Sequence, residues 1–489
     1  MKVLLIRPPQ EYAHGGHLAV HVDVPLALMV LGAAAERAGH HVVVFDAAVQ
    51  ADPAPLRFNE EGRLHVGATW DEVARTVEAA SPDVIGITNL FYTQMPQALE
   101  TARVARRVLP EVPIVVGGAP VTARPEDYLD EAAVSMAMVG EGDVALPRLL
   151  QTLARGADLR AVPNLVYRAG GRLQRSPGAD FVQDLDALPD PAYHLVDLPR
   201  YMRVLTQDSA GRWKWKPRRL LTVQTSRGCP FHCTYCAVHL HMGRRYRTQS
   251  AGRVLAHLRF IAADLGIRHI HFIDDNLGQD QKRFHAILDG LIEMKRDGLP
   301  MVWETPIGMR TDRLTYDILA KAREAGCRSM YLTVESGSQR VLDEVIRKKL
   351  KLEKVLEAAD ACKRLGIKAR AGFIMGLPGE TLEEMQQTVD LARRLRRRYG
   401  IRGHVALATP LYGTRLYETC VQGGYLKQEM TPEAVARSFV EGGMIETGDW
   451  TVAELRKMRD AFQRQDGWLH QVVRAARRRL KRRAPRPDA

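Results

Sequence analysis

No cysteine precedes Cys229, and the chain holds only six in 489 residues. So few thiols, unevenly placed, exclude a disulfide framework and point to metal chemistry where they crowd. Long apolar runs are missing too. The longest, 24–35, stops at Glu36 and falls short of the ~18–20 residues that cross a bilayer. At the N-terminus Arg7, Pro8 and Pro9 interrupt an apolar run of only Val3 to Ile6, so no secretory h-region is expected. The expectation is a cytoplasmic protein without a membrane span. No Ser/His/Asp set or paired-carboxylate pattern stands out. Apolar residues at 46% and charged residues at 26% are ordinary for a globular chain, and the length predicts two or three domains.

The net charge of +13 suggests nucleic acid until it is located. Residues 474–489 carry eight Arg/Lys, from Arg474 to Arg486, against Asp488 alone. This tail is read as basic, disordered, solvating sequence rather than a binding arm, and no nucleic-acid partner is expected. The arginines of 393–398 follow a periodic apolar segment and read as a solvated helix face.

Over the first 160 residues, short apolar runs at 2–6, 41–45, 83–88, 113–116 and 136–139 alternate with helical periodicity at 26–38 and 96–108. That alternation predicts an α/β domain with a doubly wound parallel sheet, whose ligands bind beyond the carboxyl ends of the strands. Prolines at 163, 177, 189, 191, 199 and 217 break the rhythm, and 161–219 reads as a linker with a small hairpin around Gly170–Gly171. The alternation then resumes with strands at 220–225, 269–273, 302–305, 329–334, 368–375 and 404–408. Six βα units over 220–426 predict a partial (β/α)6 barrel. A helical C-terminal segment, 427–473, precedes the tail.

The decisive segment is Ser226-Arg-Gly-Cys-Pro-Phe-His-Cys-Thr-Tyr-Cys236, with spacing C-x3-C-x2-C. Three soft thiolates in one loop select iron–sulfur or zinc over hard cations. Cys229, Cys233 and Cys236 can hold three irons of a cubane and leave the fourth for another ligand. The rival is zinc, with His232, His239 or His241 completing a Cys3His set.

This loop, placed after the first barrel strand, resembles the signature of the radical S-adenosylmethionine (SAM) family. The resemblance implies a [4Fe–4S] cluster whose open iron chelates SAM and cleaves it to a 5′-deoxyadenosyl radical. It extends along successive strand ends. Tyr235 fits the family pattern. Asp274 and Asp275 stand where the family binds the methionyl ammonium, although they also suit a helix cap. Arg310 could pair with the methionyl carboxylate or serve a structural salt bridge. Glu335 and Ser336 match a segment contacting the ribose and methionyl groups, with Ser338 a candidate N-cap. Gly372-Phe-Ile-Met-Gly376-Leu-Pro-Gly379-Glu380 resembles the adenine-binding strand. Its Glu falls one residue late, so Glu380 is given no contact.

The first domain resembles the cobalamin-binding domain of the B12-dependent branch of this family. The resemblance implies that Thr88, Gly117, Gly118, Thr122, Gly140 and Gly142 hold cobalamin with Gly-rich turns at strand ends. No Asp-x-His-x-x-Gly is present, so the cobalt's lower face is expected to lack a protein histidine. The implied reaction is methylation of an unactivated carbon of a small-molecule or natural-product intermediate, with an external electron donor of flavodoxin or ferredoxin type. A non-methylating cyclisation or rearrangement on the same cofactors is the alternative. A zinc scaffold remains the non-enzymatic reading.

Overall fold

The computed structural model describes residues 1–12, 19–20, 23–49, 57–58, 63–176, 181–207, 213–441 and 443–464. The basic tail at 474–489 and the end of the expected helical segment lie outside them. No helix among the described residues is long and apolar enough to cross a membrane.

In the first domain, strands β1 (Lys2–Arg7), β2 (His41–Asp46), β3 (Val84–Thr88), β4 (Ile114–Gly117) and β5 (Met136–Met138) form a parallel sheet. Alternate residues feed two separate cores. Leu4, Ile6, Ile85, Ile87 and Val116 pack on one face, and Val3, Leu5, Val84, Val115 and Met138 on the other. Burial on both faces is what requires the near-continuous apolar runs seen in the sequence.

The boundary expected at residue 160 is wrong. β6 (Leu165–Ala169) and β7 (Arg172–Arg175) continue the same sheet as an antiparallel hairpin, giving the order β7-β6-β5-β4-β3-β1-β2. The physical reason is the exposed edge of β5, which the buried Leu165 and Val166 cover. Gly170 and Gly171 make the two-residue turn at φ 58° and 75°, the left-handed geometry such hairpins require.

The second domain is a six-stranded all-parallel sheet of β8 (Leu221–Val223), β9 (His269–Phe272), β10 (Val302–Arg310), β11 (Cys327–Glu335), β12 (Lys368–Met375) and β13 (Arg402–Leu407), paired in chain order. This is the expected partial barrel. β10 runs five residues past the expected end at Thr305, because a bulge between Thr305 and Met309 absorbs Pro306 and Gly308. The extension carries Arg310 to the carboxyl end of the sheet.

The helical segment after residue 426 packs against the barrel. The helix Val452–Gln463 lies on the helix Leu382–Tyr399 and on β13, with Phe462 edge-on to Phe373 at 5.2 Å. A second contact reaches the first domain. Met430, Ala434, Val435 and Met444 form a small core with Tyr92 and Tyr412, and Tyr92 Oη donates to the Met430 carbonyl at 2.8 Å. Phe462 is 1% exposed, so Phe462→Ala opens a cavity under the last barrel strand and costs about 3–5 kcal/mol. A clear fall in melting temperature checks it, and an unchanged one refutes the packing role of this helix.

Candidate active site

Cys229, Cys233 and Cys236 sit in the loop after β8, held by backbone contacts from three directions. Cys229 N donates to the Gly243 carbonyl, Thr234 N to the Ile346 carbonyl, and Thr234 Oγ1 to the Val345 carbonyl. All three cysteines are free and half-buried. Burial pushes each thiol up, Cys236 to about 12, while Arg310 and Lys348 oppose the rise at Cys229 and Cys233. Such thiols give up their protons only to a strong Lewis acid such as iron.

The spacing of the donor atoms bears on the two metal readings. No three of the groups Cys229, Cys233, Cys236, His232, His239 and His241 bring their ligand atoms all within 4.8 Å of one another. Sulfurs on a single tetrahedral zinc, at about 2.3 Å from the metal, would lie closer than that. His239 Nδ1 is also hydrogen-bonded to the Cys236 carbonyl at 3.1 Å. The three thiols are therefore not gathered at the spacing of a single zinc ion.

The structure brings most of the expected SAM-site residues around this loop, but in unequal roles. Asp275 is largely buried with Oδ2 unpartnered, and burial, then Asp274 beside it, pushes its carboxyl up to about 6. It offers an unmet negative charge near the cysteines. Asp274, whose Oδ2 is likewise unpartnered, braces the loop with its other oxygen. Its Oδ1 accepts from Thr225 N, Thr225 Oγ1 and Ser226 Oγ at 3.0, 2.7 and 2.5 Å. Arg310 stacks 3.7 Å over Phe231 and donates to Asp312 and to the Lys348 carbonyl. Glu335 ends β11 at φ 75°, costly for a non-glycine residue and a mark of functional constraint. Its carboxylate accepts from Lys348 Nζ at 2.7 Å and bonds the hydroxyl of Tyr235, which is partly buried near Cys233 and Cys236.

Ser336 and Gly376 are turned to internal work. The Ser336 hydroxyl pairs with Thr388 Oγ1 and accepts from Ser338 N, shaping the turn rather than facing the cysteines. Ser338 is the N-terminal cap, its hydroxyl accepting from Val341 N. Gly376 N donates to Glu380 Oε2 at 2.8 Å. Glu380 thus staples the adenine-type turn from within, and its Oε1 is buried without a partner. Burial pushes this carboxyl up to about 8.

In the first domain Thr88 ends β3, and the glycine turns lie at the carboxyl ends of β4 and β5. A Cβ on Gly118 would stand 1.9 Å from the Asn89 carbonyl oxygen, so only glycine closes this turn. A Cβ on Gly117 would meet nothing nearer than 3.7 Å, which leaves room for a ligand's approach. Thr122 joins two turns, accepting from Gly140 N at 2.8 Å and donating to the Gly118 carbonyl. Gly142 packs on Leu31. Thr88 points no hydrogen bond into the protein among the described residues. Beside these turns, Leu90, Phe91 and Val144 are 43%, 62% and 56% exposed. Small turns rimmed by bare apolar side chains fit a large, flat, partly apolar cofactor.

What sequence reasoning missed is how the two sites are joined. Arg227, next to the cysteines, makes a bidentate pair with Asp143 at 2.8 and 2.9 Å. Arg247 does the same with Glu141 at 2.9 and 2.8 Å. Asp143 and Glu141 belong to the Gly140–Gly142 turn, and the whole cluster is buried. Lys348 was also missed, because within Arg347-Lys348-Lys349 a buried lysine reads like a solvated run.

Family models match at both places: the radical SAM superfamily over residues 223–392 and the B12 binding domain over residues 20–150. An uncharacterized methyltransferase of Pyrococcus horikoshii is 30% identical over 427 residues, covering 87% of this chain and 84% of that protein. The chain belongs to the cobalamin-dependent radical SAM family. It therefore works with a [4Fe–4S] cluster, SAM and cobalamin. The cytidylyl-2-hydroxyethylphosphonate methyltransferase of Streptomyces wedmorensis is 26% identical, covering 95% of this chain and 89% of its own. The radical SAM methyltransferase TsrM of Kitasatospora setae, solved with cobalamin and a [4Fe–4S] cluster, shares the fold at a TM-score of 0.68 and 18% identity, over 95% of this chain and 88% of that one.

Two outcomes follow from the geometry. Asp143→Asn strips Arg227 of its bidentate partner and leaves Glu141 at 3.5 Å. It is expected to cost about 3–5 kcal/mol, read as a lower denaturation midpoint with poorer cobalamin retention. For Glu380, a carboxyl raised in the folded state binds more protons there than in the unfolded chain between its ordinary value and about 8. Stability of the cofactor-free chain therefore falls as pH rises through that window, by up to a few kcal/mol. Melting curves of Glu380→Gln should lose this slope; if they keep it, another group carries it.

Proposed function

We propose that this family member methylates an unactivated carbon of a polar small molecule. The observation that carries the reading is the union of the two cofactor sites. The helix Ala119–Ala123, which begins just after Gly118, packs on the helix Val238–His241, which begins just after Cys236. Together with the Arg227–Asp143 pair, this sets the cobalamin turns against the cluster loop, as transfer between two cofactors and one substrate requires. When bound, the cluster supplies the electron that splits the sulfonium and cobalamin carries the methyl group; the protein positions both and supplies charge.

Cys229, Cys233 and Cys236 would hold the cluster. Asp275 would take the methionyl ammonium, because its carboxylate is not engaged in bracing the loop as Asp274 is and has an unpartnered oxygen to offer a cation. Arg310 and Lys348 would balance negative charge at the cluster and the methionyl carboxylate, with Glu335 and Tyr235 fixing Lys348. Thr88, Gly117 and Gly140 would face cobalamin, and Gly118, Thr122 and Gly142 would shape its turns. The substrate side is the barrel lumen, where Tyr331, Arg370 and His404 lie near one another on three adjacent strands. These groups suit a polar or anionic substrate. An acidic one-electron donor, flavodoxin or ferredoxin in type, would dock at the cavity of about 310 Å³ behind the cluster loop, which Thr234 lines with Arg340, Arg347 and Arg415.

Two measurements test the reading. Replacing the three cysteines by alanine should abolish reductive cleavage of SAM while the cobalamin domain still binds its cofactor; persistent cleavage sinks the account. Turnover with SAM labelled in its methyl group should give a product heavier by one labelled methyl. A product without that gain selects the cyclisation or rearrangement reading instead.

A further inference from the structure

The floor of the half-barrel carries a group that the cofactor chemistry does not use. Along β9 the alternation sends Ile270 and Phe272 into the core and turns His269 and His271 to the opposite face, two residues apart. β10 pairs beside it in parallel, with Glu304 opposite His271. The two oxygens of Glu304 are divided between the rings. His269 Nε2 lies 3.1 Å from Oε1, and His271 Nε2 lies 3.9 Å from Oε2. All three ligand atoms fall within 4.8 Å of one another, which holds for no other such trio among the described residues.

A divalent ion with tetrahedral bonds of about 2.0–2.2 Å spaces its ligand atoms about 3.4 Å apart. The two separations bracket that value with no ion to draw them in. We propose that His269, His271 and Glu304 form a binding site for a first-row divalent cation such as Zn²⁺, with its remaining coordination open to the barrel lumen. Two imidazoles and one carboxylate are a donor set that suits these ions and leaves positions free.

Three further features agree. The Ser329 side chain, on the next strand, is hydrogen-bonded to Glu304, the outer support that orients a ligating carboxylate. The nearby charges oppose each other: Arg218 and Asp23 both act on His271 and pair at 3.5 Å. The side chains of the trio are 14–25% exposed, so an ion can enter. His271 lies three residues before Asp274, on the order of 10 Å down the strand, so this centre is distinct from the cluster.

The test uses the full chain loaded with its iron–sulfur cluster, so that the three thiols are occupied, and Zn²⁺ alone as probe. One zinc per chain should survive desalting, and stoichiometric Zn²⁺ should raise the melting temperature. His271→Ala and Glu304→Gln should each weaken zinc binding at least tenfold in calorimetry, with iron and sulfide content unchanged. Ser329→Ala should weaken it by about tenfold. A wild-type chain that retains no zinc, or variants that bind it as well as wild type, overturns the proposal. Should the variants fail to fold, the wild-type melting curve decides: no shift with zinc overturns it. Because the readouts are zinc content and stability, they stand apart from any failure of SAM cleavage.

Discussion

Two guanidinium groups buried against two carboxylates hold this protein's working parts together. Arg227 and Arg247 flank the cysteine loop, and Asp143 and Glu141 stand on the last glycine turn of the other domain. Removing four charges from water is costly, and such pairs persist only where each lone pair and N–H finds a partner. Here the geometry is bidentate on both sides. Glu141 also accepts from Val182 N, and Arg247 also donates to the Met242 and Val182 carbonyls. The cluster adds little net stability compared with an apolar seam, but it is directional. It admits one relative placement of the two cofactor domains, and placement is what a two-cofactor reaction needs.

Around the cysteines the same economy of charge recurs. Three half-buried thiols stand near two cations, Arg310 and Lys348, and each cation is tied down by groups of its own. Lys348 is fixed by Glu335, whose left-handed backbone is an energetic expense that the surrounding strand must carry. Asp274 and Asp275, adjacent in sequence, are divided in task. Asp274 takes three hydrogen bonds from the loop on one oxygen, while Asp275 takes none of them, and each keeps its other oxygen bare. A single strand-end pair thereby supplies both rigidity and an unmet charge.

The barrel itself is unequal from face to face. Its outward residues are sealed by helices and, at β13, by the C-terminal helix through Phe462. Its inward residues are polar and partly open: His269, His271 and Glu304 low in the sheet, and Tyr331, Arg370 and His404 across it. A half-barrel closed by cofactors and substrate rather than by its own side chains cannot pack its lumen as a full barrel does. Those inward polar residues are therefore free to bind.

By itself the amino-acid order determined the two α/β units, the strand order along the chain and the cysteine loop, since these rest on local periodicity and on spacing within a few residues. Resemblance to the family's motifs also marked Asp274, Asp275, Arg310 and Glu335. Amino-acid order did not reveal that Leu165–Ala169 covers the edge of β5, nor that β10 runs through Pro306, because sheet edges and bulges depend on what lies alongside. The split between Asp274 and Asp275, the internal roles of Ser336 and Glu380, the burial of Lys348 and the pairing of Arg227 with Asp143 were decided only in three dimensions. Each depends on partners at least 13 residues away in the chain, with the exception of the short Gly376–Glu380 staple and the Ser338 N–H that Ser336 accepts, and Coulomb and hydrogen-bond energies follow distance in space rather than separation along the chain.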